Sequence, residues 1–351
     1  MTTRTMRPRG ASMALAAFGC LAVQAAGAVE IGDRIDLHGY GYQDYAQTSA
    51  NNYLGADKKG TWDNNFVGLV MSATLTDKSK FWAQLEDTAT EGTAFTWAFV
   101  DYELTDAVRL HAGRVKFPLG FYNEIIDAKP LQPAALEPSL YQAATDMVHD
   151  SYQGVGIDYE QDIAGGHVLW QAYGGNTYDP DPPTTSRDRR MLGARVTYRT
   201  PLEGLTVMGS AYRTQVQVFA TDNMANEDRG IASIGYLSDA WDVKAEYGVH
   251  RFMDSRSDAW YVQGAYMLTE HWRPYVRYDS VVTDRSQRAD PSYSQTTWVA
   301  GIGYRINSAL GLKLENHANR GYALPVVEGS VAPGAGTRSW NLLVLAADFQ
   351  F

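Results

Sequence analysis

Apolar side chains in this chain recur at every second position, in segments of about ten residues, from Ile35 to the last residue. A period of two is that of a β-strand, and a strand whose two faces differ along its length separates two media. The pattern is clearest where Val67, Leu69, Met71, Ala73 and Leu75 alternate with Gly68, Ser72 and Thr74. It returns as Trp241, Val243, Ala245, Tyr247 and Val249 against Asp242, Lys244, Glu246 and His250, and as Leu310, Leu312 and Leu314 against Lys313, Glu315 and His317. No amphipathic helical pattern of similar length competes with it. About sixteen segments can be bounded, at 34–46, 64–76, 79–88, 94–104, 107–115, 152–161, 166–174, 191–200, 205–219, 229–238, 241–251, 259–268, 271–283, 295–306, 310–318 and 339–351.

The connections sharpen this. Thr76-Asp77-Lys78-Ser79, Thr105-Asp106, Thr200 to Gly204, Ser238 to Ala240, Thr269-Glu270 and Asn307 to Ala309 are tight turns, and the connections between them are expected to be long and rich in Asp, Asn, Ser and Pro. Short turns then fall at one end of the sheet and long loops at the other. The fold class this implies is all-β: a transmembrane antiparallel β-barrel of about sixteen strands with short periplasmic turns and long extracellular loops. A Lys or Arg facing lipid at the bilayer midplane costs about 2–4 kcal/mol, so the charged face of each strand is assigned to the lumen and the outer wall is expected to be nearly free of charge. Tyr102, Tyr159, Tyr198, Tyr236, Trp241, Tyr266 and Trp272 lie toward strand ends on the outer face, where amphipathic rings suit a membrane interface. Pro274 is the one awkward residue inside a strand, since it forfeits a ladder hydrogen bond.

Residues 1–28 read as a cleaved secretory signal: Arg4, Arg7 and Arg9, an apolar run from Met13 to Val23, and a small-x-small site at Ala26-Gly27-Ala28. The barrel is then expected to occupy 29–351, in a Gram-negative outer membrane. The only Cys, Cys20, falls in the leader, in a poor context for lipid attachment, so neither disulfides nor cysteine metal sites are expected. Without its leader the chain keeps 27 Lys and Arg against 40 Asp and Glu. A net charge near −13 argues against a nucleic-acid partner, which requires a basic surface.

Two segments resemble known proteins. Trp340 to Phe351 ends in Phe and places Leu343, Leu345, Ala347, Phe349 and Phe351 on one face, which resembles the C-terminal strand that outer-membrane porins present to their assembly machinery. The run AFVDYELTDAVRLHAGRVK (98–116), followed by Phe117-Pro118-Leu119-Gly120, resembles the aGRxKxPxG region of the phosphate-selective porin O and P type family and its relatives. The resemblance implies a sixteen-stranded, trimeric diffusion channel for small hydrophilic solutes, surrounded by outer-membrane lipid, whose third loop folds inward and narrows the pore.

That third loop is the segment at 116–151, which has no sustained alternation and is far longer than an ordinary connection. It carries Glu124, Asp127, Glu137, Asp146 and Asp150 against Lys129, and these six are the candidate constriction residues. Arg114 and Lys116 at its base, with Arg195, Arg199, Arg273, Arg277 and Arg305 of the wall, are the expected pore-lining bases. Arg109 and Arg114 differ in parity, so at most one faces the lumen unless a bulge intervenes near Gly113. A phosphate channel is expected to line its loop with Lys or Arg, and this loop is acidic.

Enzyme motifs are not found. The seven His form no HxH or HxxxH pair, there is no GxSxG, and Gly301-x-Gly303 lacks the third glycine and following helix of a dinucleotide loop. No catalytic residue, cofactor or metal site is therefore assigned. The alternative to a channel is a surface adhesin or structural anchor, for which the loop at 319–337 would be the working part.

Overall fold

The computed structural model describes residues 29–88, 92–142, 145–177 and 186–351, so the leader at 1–28 lies outside the described residues. In chain order the strands are β1 (Val29–Ile31), β2 (Ile35–Thr48), β3 (Asn65–Thr76), β4 (Ser79–Thr88), β5 (Gly92–Thr105), β6 (Val108–Lys116), β7 (Ser151–Ile163), β8 (Gly166–Thr177) and β9 (Ser186–Arg199). They continue as β10 (Leu205–Val218), β11 (Asn223–Leu237), β12 (Trp241–Phe252), β13 (Ser255–Tyr266), β14 (Trp272–Val282), β15 (Ser294–Arg305), β16 (Leu310–Gly321) and β17 (Ser339–Gln350). Each strand from β2 to β17 pairs antiparallel with its sequence neighbours, and β17 returns to β2 from Leu342↔Thr48 to Gln350↔Tyr40. The result is a closed sixteen-stranded barrel. β1 pairs with residues 35–37 of β2, on the stretch of that strand's edge lying past the end of β17.

All sixteen sequence segments coincide with a strand of the ring. The boundaries differ most at β11, β9 and β13, which begin at Asn223, Ser186 and Ser255, six, five and four residues before the apolar alternation starts. All three run on above the apolar band through largely polar sequence, so no period marks their ends. The connections 219–222 and 253–254 are consequently tight, closed by Asp222 and Met253 at φ 54 and 51, and loop lengths do not sort strictly by end. Pro274 pairs with Ile302 of β15, while the ladder to β13 ends at Tyr275, so the imino nitrogen interrupts no paired position there.

Outward residues are exposed: Leu192 is 71% accessible, Val155 63% and Trp298 62%. The seven Tyr and Trp residues named above lie within four residues of the turn end of their strands. A second group, Trp260, Tyr278 and Trp298, packs across β13–β15 toward the loop end in tilted and edge-on contacts, with centroids 5.3 and 4.8 Å apart. The wall is not free of charge. Arg213, Asp228 and Arg251 also face outward, on the loop-end side of Tyr247, where the cost of a lipid-facing charge falls to about 0–1 kcal/mol.

The seam between first and last ring strands is sealed by the terminal aromatics. Gly39 and Phe351 exchange both backbone hydrogen bonds, at 2.9 and 2.8 Å. The Phe351 ring covers Gly39, and that of Phe349 covers Gly41, where a Cβ would lie 2.8 Å from Cζ. Gly39→Val and Gly41→Val should therefore unseat these rings and reduce the yield of folded barrel, read as the mobility difference between unheated and boiled samples in electrophoresis. Gly209→Val, at an outward glycine with open space around it, should leave that yield unchanged.

Candidate functional site

Residues 117–142 and 145–150 fold into the barrel and cross its lumen. Three short 3-10 turns, at Asn123–Ile125, Lys129–Leu131 and Ser139–Tyr141, give the segment its path, and Phe117, Leu119, Tyr122, Ala135, Leu140, Tyr141 and Met147 are buried in it. An apolar side chain is buried inside a polar lumen only where the wall offers an apolar surface. β17 supplies one: its inner face carries Trp340, Leu342, Val344 and Ala346, in one cluster with Ala46, Ala135, Leu136 and Leu324. At the other side Phe117 stacks on Tyr212 at 4.7 Å and meets Tyr152 and Tyr173.

Polar contacts then fix the loop around the circumference. Glu246 of β12 accepts from the Phe121 amide at 2.9 Å, Tyr141 Oη at 2.5 Å and Tyr261 Oη at 2.6 Å, and from Ser233 Oγ. Glu315 of β16 accepts from the Ala135 and Leu136 amides, both at 3.1 Å, and from Tyr275 Oη. It also lies 2.8 Å from His317 Nε2. Each carboxylate thus takes up backbone N–H groups that the irregular loop cannot satisfy internally. Lys313 Nζ donates to the Lys129 carbonyl at 2.6 Å, and Arg277 donates to the Leu136 and Glu137 carbonyls at 2.9 and 3.2 Å.

The six loop residues singled out in the sequence are all paired. Arg195 binds Glu124 bidentately at 2.5 and 3.2 Å. Lys116 Nζ sits between Asp127 and Asp150, 2.5 Å from the latter. Lys129 lies 2.6 Å from Glu137. Asp146 is held by Arg229 Nη2 at 2.9 Å. Among the wall bases, Arg273 pairs with Asp242 at 2.7 Å and Arg277 with Asp279 at 2.8 Å. Arg199 faces the lumen near the turn end, and Arg305 is exposed at the turn-end mouth, lining a pocket with Pro130, Pro133 and Arg273. Arg114 does not line the pore. It stands opposite Gln153 in the outward row of β7, with Val155, Ile157 and Tyr159, and its guanidinium donates to the Phe95 carbonyl. Arg109 is the inward member of that pair, opposite Asp158.

Sequence reasoning missed Arg229 and the partnerships of Glu246 and Glu315. Strand parity does place both glutamates inward, but their loop partners are more than 100 residues away. It also missed a knot around Arg229. His250 Nε2 lies 2.6 Å from Glu227 and 3.8 Å from Asp146, and His149 lies 3.9 Å from Asp188. Oxygen and nitrogen atoms of Asp146, Glu227 and His250 fall within 4.8 Å of one another, as do those of His149, Asp188 and Glu227. Arg229 holds one oxygen each of Glu227 and Asp146 at 2.9 Å, so the cluster works as an ion-pair anchor for the loop.

No protein-family model matches the sequence, and no curated protein matches it. Solved structures do. The chain is similar to OmpF of Salmonella typhi in complex with daunomycin, with a TM-score of 0.65, 14% identity, and coverage of 93% of this chain and 100% of that one. It is similar to the anion-selective porin of Comamonas acidovorans (TM-score 0.63, 12% identity, 90% and 99% covered). It is also similar to the outer-membrane channel DcaP of Acinetobacter baumannii (TM-score 0.61, 12% identity, 92% and 99% covered). The fold is a porin-like outer-membrane barrel.

Burial alone would raise the Glu137 carboxyl, but Lys129 beside it holds it below its ordinary value of 4.5. The stability this pair contributes is therefore in place at neutral pH and is lost only as pH falls through that depressed value. Amide-exchange protection across 129–137, corrected for the intrinsic pH dependence of exchange, should be lost only as pH falls below the ordinary carboxyl value of 4.5, and Glu137→Gln should show the reduced protection already at pH 7. Glu246→Ala with Glu315→Ala strands several buried donors at about 1–3 kcal/mol each, and should increase protease cleavage within 117–142 while the barrel stays folded.

Proposed function

We propose that this protein is a passive diffusion channel of a Gram-negative outer membrane, conducting small hydrophilic solutes or ions through a lumen narrowed by residues 117–150. The observation that carries this is the loop itself: a 34-residue segment held across a polar barrel lumen by wall side chains on many strands. A surface anchor has no need of such an element inside the barrel. The structural neighbours include an outer-membrane channel and an anion-selective porin, which supports a channel role.

Several finer readings belong to the same proposal. The aGRxKxPxG-like segment supports kinship with the phosphate-selective O and P type porins, with a homotrimer as the working form and the strand ending in Phe351 as the signal to the assembly machinery. Transport is passive and no reaction is catalysed. Selectivity is weakly cationic or nearly absent, without preference for phosphate. Five loop acids against one Lys favour cations, and their pairing with Lys116, Lys129, Arg195 and Arg229 keeps the preference small. A porin constriction is narrower than the Debye length of roughly 10 Å at 0.1 M salt, so any remaining imbalance would act on every passing ion.

In planar bilayers, deleting 120–140 should raise single-channel conductance several-fold if the barrel still folds, and unchanged conductance would remove the loop from the permeation path. Under a KCl gradient the zero-current potential should be near zero or weakly cationic, and should move toward anions in Glu124→Lys with Asp127→Lys. No conductance from folded protein or from the deletion variant would favour the anchor.

A further inference from the structure

The outer wall of β9–β13 carries, at its loop end, more positive charge than acyl chains tolerate. Strand register sets Arg213, Asp228, Arg251 and Arg256 directly opposite one another on β10, β11, β12 and β13. They form one row across the wall, three inter-strand steps or roughly 14 Å wide. Arg190 on β9 stands one outward position nearer the loops, opposite Gln215. Asp228 is already taken, bidentate to Arg213 at 2.6 and 2.9 Å. Asp258 serves both Arg285 at 3.0 Å and Arg256 at 3.5 Å. Among the described residues, Arg190 and Arg251 are exposed and have no carboxylate partner.

The depth of the row is set by its neighbours. Tyr247 and Trp260 lie four residues below Arg251 and Arg256, about 13 Å along the strands, and Trp260 belongs to the aromatic group of β13–β15. Such rings mark the edge of the apolar band, so the arginines stand just outside it, at the depth of lipid head groups. Four to six residues below the row, roughly 13–20 Å along the strands, the small outward residues Ala232 and Ala245 leave an open apolar groove of about 550 Å³, walled by Val207, Ile234, Tyr247, Trp260 and Val262. A cationic row above an apolar groove matches a molecule with phosphate at its head and acyl chains below. Guanidinium groups bind phosphate oxygens in bidentate geometry.

We propose that this surface is a binding site for a phosphorylated outer-leaflet lipid, with its phosphates on Arg190, Arg213, Arg251 and Arg256 and an acyl chain in the groove. The site rests on the outer-membrane placement given above and not on conduction. Its binding is measured without ion flow, so its failure leaves the channel reading intact, and a non-conducting barrel would still bind.

The test is titration of the purified full-length barrel in detergent with diphosphorylated lipid A, with the same lipid stripped of phosphate, and with inorganic phosphate, read by native mass spectrometry. Diphosphorylated lipid A should bind at least about tenfold more tightly than the stripped lipid, and its affinity should fall as KCl rises. Arg190→Gln with Arg251→Gln, which leaves both carboxylate pairs in place, should weaken that binding at least about tenfold. Should the double variant fail to fold, Arg251→Gln alone carries the same test with a smaller loss. Equal binding of the stripped lipid, undiminished binding by the folded variant, or inorganic phosphate binding as tightly as the lipid would each overturn the proposal.

Discussion

The structure depends first on the backbone hydrogen bond. In hydrocarbon no water is present to satisfy a peptide group, so a sheet that crosses a bilayer must leave no edge. Here the demand is met by sixteen antiparallel ladders and falls hardest on the last, between β17 and β2, which joins strands nearly 300 residues apart in sequence. That seam is packed from outside by two phenylalanine rings lying on two glycines that have no side chain to protect the ladder themselves. β1 extends the same solution, pairing where β17 has already ended.

Closure creates the second problem, an interior that must be filled or wetted. The loop at 117–150 fills it with two chemistries at once. Its apolar residues lie on the inner face of β17 and on the tyrosines of β7, β8 and β10, while its unsatisfied amides and its charges are taken by wall carboxylates and bases. Neither alone would suffice. Burying an irregular backbone without acceptors strands its N–H groups, and ion pairs alone in a wet lumen are worth little. Glu246 and Glu315 mediate between the two, because each is an acceptor for backbone and for tyrosine hydroxyls in the same place.

The fold was legible because a barrel wall writes its period directly into the chain, and β12 alternates without a break from Trp241 to His250. The legibility failed where the medium ceased to differ between faces. Above the apolar band, Asn223, Asn226, Glu227 and Asp228 put polar residues on both sides and Met224 and Ala225 fall on opposite faces, so no period marks the first six residues of the strand. β17 fails in the opposite sense, since Trp340, Leu342, Val344 and Ala346 are apolar on the lumen side too, and only the loop packed against them explains it. The site was legible as a list of charges and not as a set of pairs. Glu124 and Arg195 are each visible as lumen residues, but their contact depends on how a 34-residue segment threads the barrel, and no local spacing encodes that.

Parity decides what each arginine does, and one residue of offset changes its medium. Arg195, Arg273 and Arg277 are inward and end on carboxylates, whereas Arg114 is outward beside Phe95. Arg213, also outward, keeps Asp228 as a partner at the level where a charge outside the apolar band becomes affordable. The acids of the lumen therefore cannot be summed as if they were free. Glu124, Asp127, Glu137, Asp146 and Asp150 each face a cation within the same lumen. The loop and wall charges therefore form a set of ion pairs across the lumen rather than a negative ring.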